Sequence, residues 1–481
     1  MLDREAWGDS FSRSLTHFLV REDGSDGGQW LLDPNACLPL YSLIGTAEVS
    51  PSPLELARRH GLLPDPAACA SFLSNGVFYD GAIHPRIRAL PPGARVATGA
   101  GELRVSAPDE DALWGEAEPP TATMLIDALQ QAVAPLRGRR VICDLTGGLD
   151  SRLVALSLKA AGIDFTATVT GEPGTADPAI AHRLAARLGV ELIHDRSAAA
   201  EAVAVWQAAV ETAGGCVHPR LAARLLKLQE NRSGFEVSVG GLGGELYRDF
   251  WWLQDPIGLS EDREPDWQRL VTARLYQKPV PARLLRGDWA EALRGEPVHR
   301  AATMTLRTAA QRQLRRKRDR LDYAYLRLHL RYWAGANIAT SLSRIRIHNP
   351  LLHPDALRLT FSATEAQRRM GRWVREAITQ LDRGAAALPV ESGGSALPLS
   401  PWTPWRRLPL YGRLLKSATR RLPGRRPQGA AWGERPLPLD ELTARGIIDA
   451  AAVQAHRYQP GSLVHLERLV GLELLHALLR R

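Results

Sequence analysis

Val141-Ile142-Cys143-Asp144-Leu145-Thr146-Gly147-Gly148-Leu149-Asp150-Ser151 reads as a short apolar strand that opens through two glycines into a helix. The spacing predicts a strand over Arg140–Leu145 and a helix over Asp150–Ala161. A turn of this kind aims several backbone N–H groups and a helix N-terminus at one point. Thr146 and Ser151 add hydroxyl donors, so the turn suits a phosphate. There is no GK[ST] and no following lysine, which excludes a Walker A loop, and the G-x-G-x-x-G dinucleotide pattern is also absent. A carboxylate beside bound phosphate is unfavourable unless a cation lies between them, so Asp150 points to Mg²⁺. The competing reading of the same residue is an aspartate that caps the helix.

Outward from this stretch, strands and helices alternate. Strands are expected at Phe165–Thr170, Val190–His194 and Phe235–Val239, and helices at Ala179–Leu188, about 200–213 and 219–231. That alternation implies a parallel sheet with right-handed crossovers, an α/β fold. The strand at Phe235–Val239 runs into a second glycine loop, Gly240-Gly241-Leu242-Gly243-Gly244-Glu245. Ligands collect at the carboxyl ends of strands in such sheets, so the two loops, each with one acid, are expected to meet over one triphosphate. Asp150 and Glu245 are then paired magnesium ligands; the plainer alternative is that Gly240–Gly244 is a flexible connection.

Residues 1–115 have a different texture, short apolar runs broken by Gly, Pro, Asn and Asp, and read as a β-rich first domain. An acidic, proline-bearing boundary precedes a second domain over 122–481. From about 300 to 382 the pattern is helical and arginine-rich. In the block 311–331, Leu314, Leu321, Tyr325, Leu328 and Tyr332 mark a core face, and the arginines are assigned to the solvent side. Between Ala385 and Gly433 the chain is loop-rich and holds a basic run, Trp405–Arg426, read as a solvated surface segment. A final amphipathic helix is expected over about 461–481.

The whole chain, 481 residues at 45% hydrophobic and 23% charged, has the composition of an ordinary globular protein, with room for two to four domains at roughly 100–200 residues each. Net charge is +9, and only five of the 61 basic residues are lysines, which we read as codon usage before any polyanion binding. Cys37, Cys69, Cys143 and Cys216 form no C-x-x-C pair, and no apolar run approaches 18 residues. A cytoplasmic protein without export signal, membrane insertion or nucleic-acid partner is expected.

Thr146–Ser151 resembles the SGGxDS loop of the N-type ATP pyrophosphatases, with Thr in place of the first Ser. More closely, the chain resembles the asparagine synthetase family and its glutamine-independent relatives, such as β-lactam synthetase, carbapenam synthetase and the lasso-peptide macrolactam cyclases. Ala167–Gly171 with Asp177, the loop Gly241–Glu245, the segment Asn349-Pro350-Leu351-Leu352-His353 and the run Ile87–Gly93 each resemble a family segment, so the likeness spans about residues 30–395. It implies a parallel-sheet ATP-pyrophosphatase domain (adenine nucleotide alpha-hydrolase-like) with helical C-terminal additions, preceded by a reduced Ntn-glutaminase-like domain. It further implies ATP and Mg²⁺ as cofactors. The nucleotide would be held by Leu145, Thr146, Gly147, Gly148, Leu149, Asp150, Ser151, Val169, Gly241, Gly243 and Gly244, and the metal by Asp150 and Glu245.

Three departures qualify the resemblance. Leu2 stands where glutamine-using members expose a cysteine, so no glutaminase nucleophile is expected. Arg346 occupies the position of the family's base-forming glutamate, and Leu388–Gly394 offers no match for its pyrophosphate-neutralising lysine. Arg368, Arg369, Arg372 or Arg375 are then candidates for that charge, and His348, His353 or Glu376 for the base. Arg346, His348 and Arg372 complete the expected catalytic set. The implied reaction is amide formation through an acyl-adenylate, with AMP and pyrophosphate released. Its substrate is a carboxylate-bearing small molecule or peptide, with a protease or carrier of the same pathway as partner. An ammonia-dependent asparagine synthetase and an inactive nucleotide-binding scaffold are the alternatives.

Overall fold

The computed structural model describes residues 10–24, 27–35, 37–79, 82–99, 101–107, 113–114, 118–172, 174–195, 203–270, 274, 279–294, 314–399 and 446–480. Twelve strands are formed among these residues. Seven precede residue 107: β1 (Leu19–Gly24), β2 (Gly27–Leu32), β3 (Tyr41–Leu43), β4 (Val49–Ser50), β5 (Ile87–Ala89), β6 (Arg95–Gly99) and β7 (Glu102–Ser106). They pair antiparallel in two small sheets, ordered β1-β2-β6-β7 and β4-β3-β5. The strand texture of this region is therefore present, but helices Pro53–Arg59 and Pro66–Asn75 lie within it. Each begins with a capping side chain, Ser52 or Asp65, and a proline in the first turn, where the missing N–H costs nothing.

The larger sheet is wholly parallel. It comprises β8 (Val141–Asp144), β9 (Phe165–Thr170), β10 (Leu192–Asp195), β11 (Val237–Val239) and β12 (Arg346–His348), ordered β10-β9-β8-β11-β12. Val141, Ile142 and Cys143 are all buried, as are Val237, Ser238 and Val239; such unbroken buried runs are what a covered parallel sheet demands. Helices Ala122–Val133, Leu149–Ala160 and Arg372–Leu381 pack on one another and join the sheet in the main core. The four strands and four helices expected between 140 and 239 are present, with ends shifted by at most three residues. β12 falls inside a stretch read as helical. Its three residues are strand because Arg346 and His348 pair with Val237 and Val239, a long-range partnership invisible to local periodicity.

Two further expectations change. Leu314, Leu321, Tyr325, Leu328 and Tyr332 are buried as read, but Lys317, Arg318 and Arg327 are buried with them. Their charges are met inside the protein: Lys317 Nζ lies 2.6 Å from Asp255, Arg318 donates to Ala363 O and Arg327 to Pro34 O. The last helix, Ser462–Leu479, is buried almost all round rather than amphipathic, because helices Pro53–Arg59, Pro66–Asn75 and Pro219–Glu230 surround it. Within it Arg468 caps the carbonyls of Leu73 (3.2 Å) and Ser74 (2.7 Å). The core it shares with Tyr41, Leu54 and Phe72, and the entry of Leu15, Cys37, Val77 and Tyr79 into the main core, weld the first 115 residues to the rest. The basic run at 405–426 lies outside the described residues.

Candidate functional site

In the order β10-β9-β8-β11-β12, the chain turns from one side of β8 to the other between β8 and β11. Crevices form at the carboxyl ends of strands flanking such a switch point. Both glycine loops leave the sheet there. The two are in van der Waals contact: a Cβ on Gly241 would lie 2.8 Å from Ser151 N, and one on Gly244 would overlap the Asp150 carboxylate. Gly243, with φ +92°, turns the second loop beneath Leu352. The absence of side chains at 241 and 244 is thus what lets the two loops seat on each other.

The first loop is tightly organised. Leu145 N–H bonds to Thr168 O (2.8 Å), fixing the loop to β9 beside buried Val169. Thr146 N–H donates to Ser151 Oγ (3.1 Å), Gly148 N–H to Thr146 Oγ1 (3.1 Å), and Gly147 N–H to Asp177 Oδ1 (2.9 Å). Gly147 O accepts from Glu391 N–H (2.9 Å), which brings the turn Val390–Gly394 over the loop. Arg152, fully buried one residue beyond Ser151, anchors that turn by donating to Ala385 O, Leu388 O and Pro389 O.

Asp150 is the electrostatic centre. Its Oδ2 lies 2.5 Å from Arg248 Nη2. Burial raises its pKa to about 6, against the lowering effect of Arg248 and with a further upward push from Glu245. Glu245 Oε2 accepts a hydrogen bond from Tyr325 Oη at 2.7 Å. Burial, and then the Glu245 charge, push the Tyr325 phenol up. Each carboxylate thus keeps one oxygen outside these bonds. Two adjacent acids carrying excess negative charge fit Mg²⁺, which takes one or two protein carboxylates and fills its octahedron with water and phosphate oxygens. No cluster of three or more His, Cys, Asp or Glu side chains suited to a metal occurs among the described residues.

The second loop is braced from behind. Tyr247 Oη donates to Leu351 O (2.8 Å), and Trp373 stacks on Tyr247 at 5.8 Å while donating to its carbonyl. Trp251 meets Tyr325 edge-on at 5.2 Å, on a segment, Tyr325–Ala334, wound as a π-helix. Such windings are uncommon and recur at functional sites.

The expected catalytic set is not brought to this crevice. His348 is fully buried: its Nδ1 accepts from Thr16 N–H (3.1 Å) and its Nε2 bonds to Ala132 O (3.0 Å), leaving neither nitrogen for a substrate. Arg346 starts β12, two residues below the carboxyl end, where it bonds Ser12 Oγ and lies over the Phe11 ring. Arg372 is exposed and pairs with Glu376 at 3.1 Å. His353 lies 3.6 Å from Asp355 at a helix start. Arg368 is buried in a bidentate pair with Asp322, Arg369 pairs with Glu365, and Arg375 donates to Met370 O and Ser395 O. The residues that sequence reasoning passed over are Arg248 and Tyr325. Arg248 follows Glu245 by three, one turn along the same helical loop, which is the signal that marks it.

Residues 124–332 match the family model described as asparagine synthase. The matched segment contains both glycine loops, Arg248 and Tyr325, and ends before β12. It supports the asparagine synthetase resemblance, and with it an ATP-dependent carbon–nitrogen ligase. No curated protein matches the chain. No described helix is long and apolar enough to cross a membrane.

Proposed function

We propose that the protein is an ATP-dependent amide-forming ligase that activates a carboxylate as an acyl-adenylate. The observation that carries this reading is the seating of Gly244 and Gly241 on Asp150, which sets two acid-bearing glycine loops at one switch point. In the first step a substrate carboxylate oxygen attacks the α-phosphorus of ATP, the α–β bridging P–O bond breaks, and pyrophosphate leaves. In the second an amine attacks the acyl carbon, and AMP departs with the C–O electron pair. Asp150 and Glu245 would hold Mg²⁺, which neutralises phosphate charge when bound. Thr146–Ser151 would cradle the pyrophosphate, exchanging the internal bonds of Gly147 and Thr146 for phosphate oxygens. Val169 would present its backbone to the nucleotide.

The acceptor we infer is a carboxylate-bearing small molecule or peptide of specialised metabolism, handled in the cytoplasm; a protease or carrier of the same pathway is the expected partner. The two antiparallel sheets before residue 107 support reading residues 1–115 as a reduced glutaminase-like unit. A second reading, nucleotide binding without chemistry, draws on the engagement of His348, Glu376 and Arg372 elsewhere. Exchange of labelled pyrophosphate into ATP, run across a panel of carboxylates, separates the two. Exchange with any carboxylate, and AMP as product, supports the ligase; ADP as product contradicts it. Labelled asparagine from aspartate and ammonium would narrow it to asparagine synthesis.

A further inference from the structure

Two carboxylates at the place where a polyanion binds need positive charge built in beside them. Arg248 is the guanidinium that touches both glycine loops among the described residues. Its Nη2 pairs with Asp150 of the first loop at 2.5 Å, and its Nε donates to Gly244 O of the second at 3.3 Å. Nη1 has no hydrogen bond among the described residues, and the side chain is 27% exposed.

The arginine is held from behind by a separate segment. Arg368 Nη2 donates to Arg248 O (3.4 Å), and Met370 N–H donates to Asp249 Oδ1 (3.1 Å). Gly371, at φ +67°, passes so close that a Cβ there would lie 3.1 Å from Arg248 Cγ. Met370 takes φ +54°, and no other described non-glycine residue has a positive φ. A methionine in the left-handed region is strained, and the contacts around Arg248 and Asp249 hold it there.

We propose that Arg248 contacts the phosphates of the nucleotide directly and serves as the cation that receives charge on the departing pyrophosphate. The inference rests on the ATP reading given above. Its geometry is that of an arginine pinned at two of three nitrogens, leaving the third edge for a phosphate oxygen. Guanidinium stays charged at every working pH and grips phosphate in a fixed fork, and because it is already oriented it needs no reorganisation as charge develops. Of the other buried arginines nearby, Arg368 is committed to Asp322, and Arg152 and Arg375 to backbone carbonyls.

The test is calorimetric titration of inorganic pyrophosphate into the wild-type protein and Arg248→Ala, Arg248→Gln and Arg248→Lys variants, in EDTA and in magnesium. Mg·ATP is titrated alongside, and unfolding midpoints check that each variant is folded. Expected are wild-type binding of pyrophosphate in EDTA, a loss of at least tenfold in Arg248→Ala and Arg248→Gln, and partial retention in Arg248→Lys. The loss is expected to shrink in magnesium. Unchanged or tighter binding in Arg248→Ala and Arg248→Gln would overturn the proposal, since the arginine would then only neutralise Asp150. Wild-type protein that binds Mg·ATP but not pyrophosphate in EDTA would overturn it while leaving the ATP reading intact. Failure of the wild type to bind either would overturn both.

Discussion

The carboxyl ends of β8 and β11 and the carboxyl end of β12 lie side by side on one parallel sheet, yet they solve opposite problems. At the end of β12 the polar side chains turn inward and are tied to one another. His348 is bonded through both nitrogens, Asn349 N–H donates to Thr16 Oγ1, and Asn349 Nδ2 meets His17 Nε2 at 2.9 Å. At β8 and β11 the loops are glycine-rich, the carboxylates of Asp150 and Glu245 stand in excess of their cations, and Asp150 has its pKa raised to about 6. Saturated polar clusters rigidify; unsaturated charge at a rim is where a ligand gains most. The two histidines at β12 are a buttress for the crevice, and the crevice is where chemistry is expected.

The sharpest way to break this contrast is Gly244→Ala, whose methyl would occupy the space of the Asp150 carboxylate. A loss of at least 100-fold in Mg·ATP affinity, about 3 kcal/mol, is expected by calorimetry. Gly234→Ala, where a Cβ meets nothing within 4 Å, serves as the control with unchanged affinity.

On the buttress side, His348→Ala strands Thr16 N–H and Ala132 O. At about 1–3 kcal/mol for each unpaired buried group, it should lower stability to urea by a few kcal/mol. Nucleotide affinity should stay within a fewfold of wild type in the folded fraction; a selective loss of affinity without loss of stability would put His348 in the site instead.

The two regions also differ in their response to acid. Burial lowers the pKa of His17 and His348 at β12, and of His218 in the second core, to about 3 each. Their unfolded forms bind protons below about 6.5, so the unfolded state takes up more protons between pH 3 and 6.5, and stability falls as pH drops through that window. Asp150 has the opposite sign: its folded pKa lies above the unfolded value, so it costs stability as pH rises from about 4 to 6. Urea midpoints measured from pH 4 to 7 should therefore rise with pH in the wild type. Asp150→Asn should be more stable than wild type above pH 6 while losing nucleotide binding. The smallest effect is expected for Arg372→Ala, which removes an exposed i,i+4 pair with Glu376. It should change stability by less than about 0.5 kcal/mol and leave pyrophosphate exchange unaltered.

The strand–glycine–helix unit at 141–160 was legible because an apolar run, Val141–Leu145, broken only by Asp144 and followed by Thr-Gly-Gly admits few other conformations. The pairing of the two loops was legible from the general rule for parallel sheets. The rest depended on contacts that have no local signature. β12 is three residues long and exists by virtue of β11. Prolines in residues 1–115 read as breaks between strands, yet Pro53 and Pro66 open helices capped by Ser52 and Asp65. In the block 311–331 helical spacing assigns the arginines to the solvent side. The fold instead buries Arg152, Arg318, Arg327, Arg375 and Arg468 and spends their donors on the carbonyl ends of other segments. A motif reading of the family positions favoured Arg346 and His348 for the same reason: their place in sequence was visible, their packing against Ser12, Phe11, Thr16 and Ala132 was not.

The most direct measurement is amide hydrogen exchange with and without Mg·ATP. Simultaneous protection of 145–151 and 240–248, with little change at 346–353, is the result expected if the two loops close on one nucleotide. Protection of one loop alone, or of neither, would contradict the shared site.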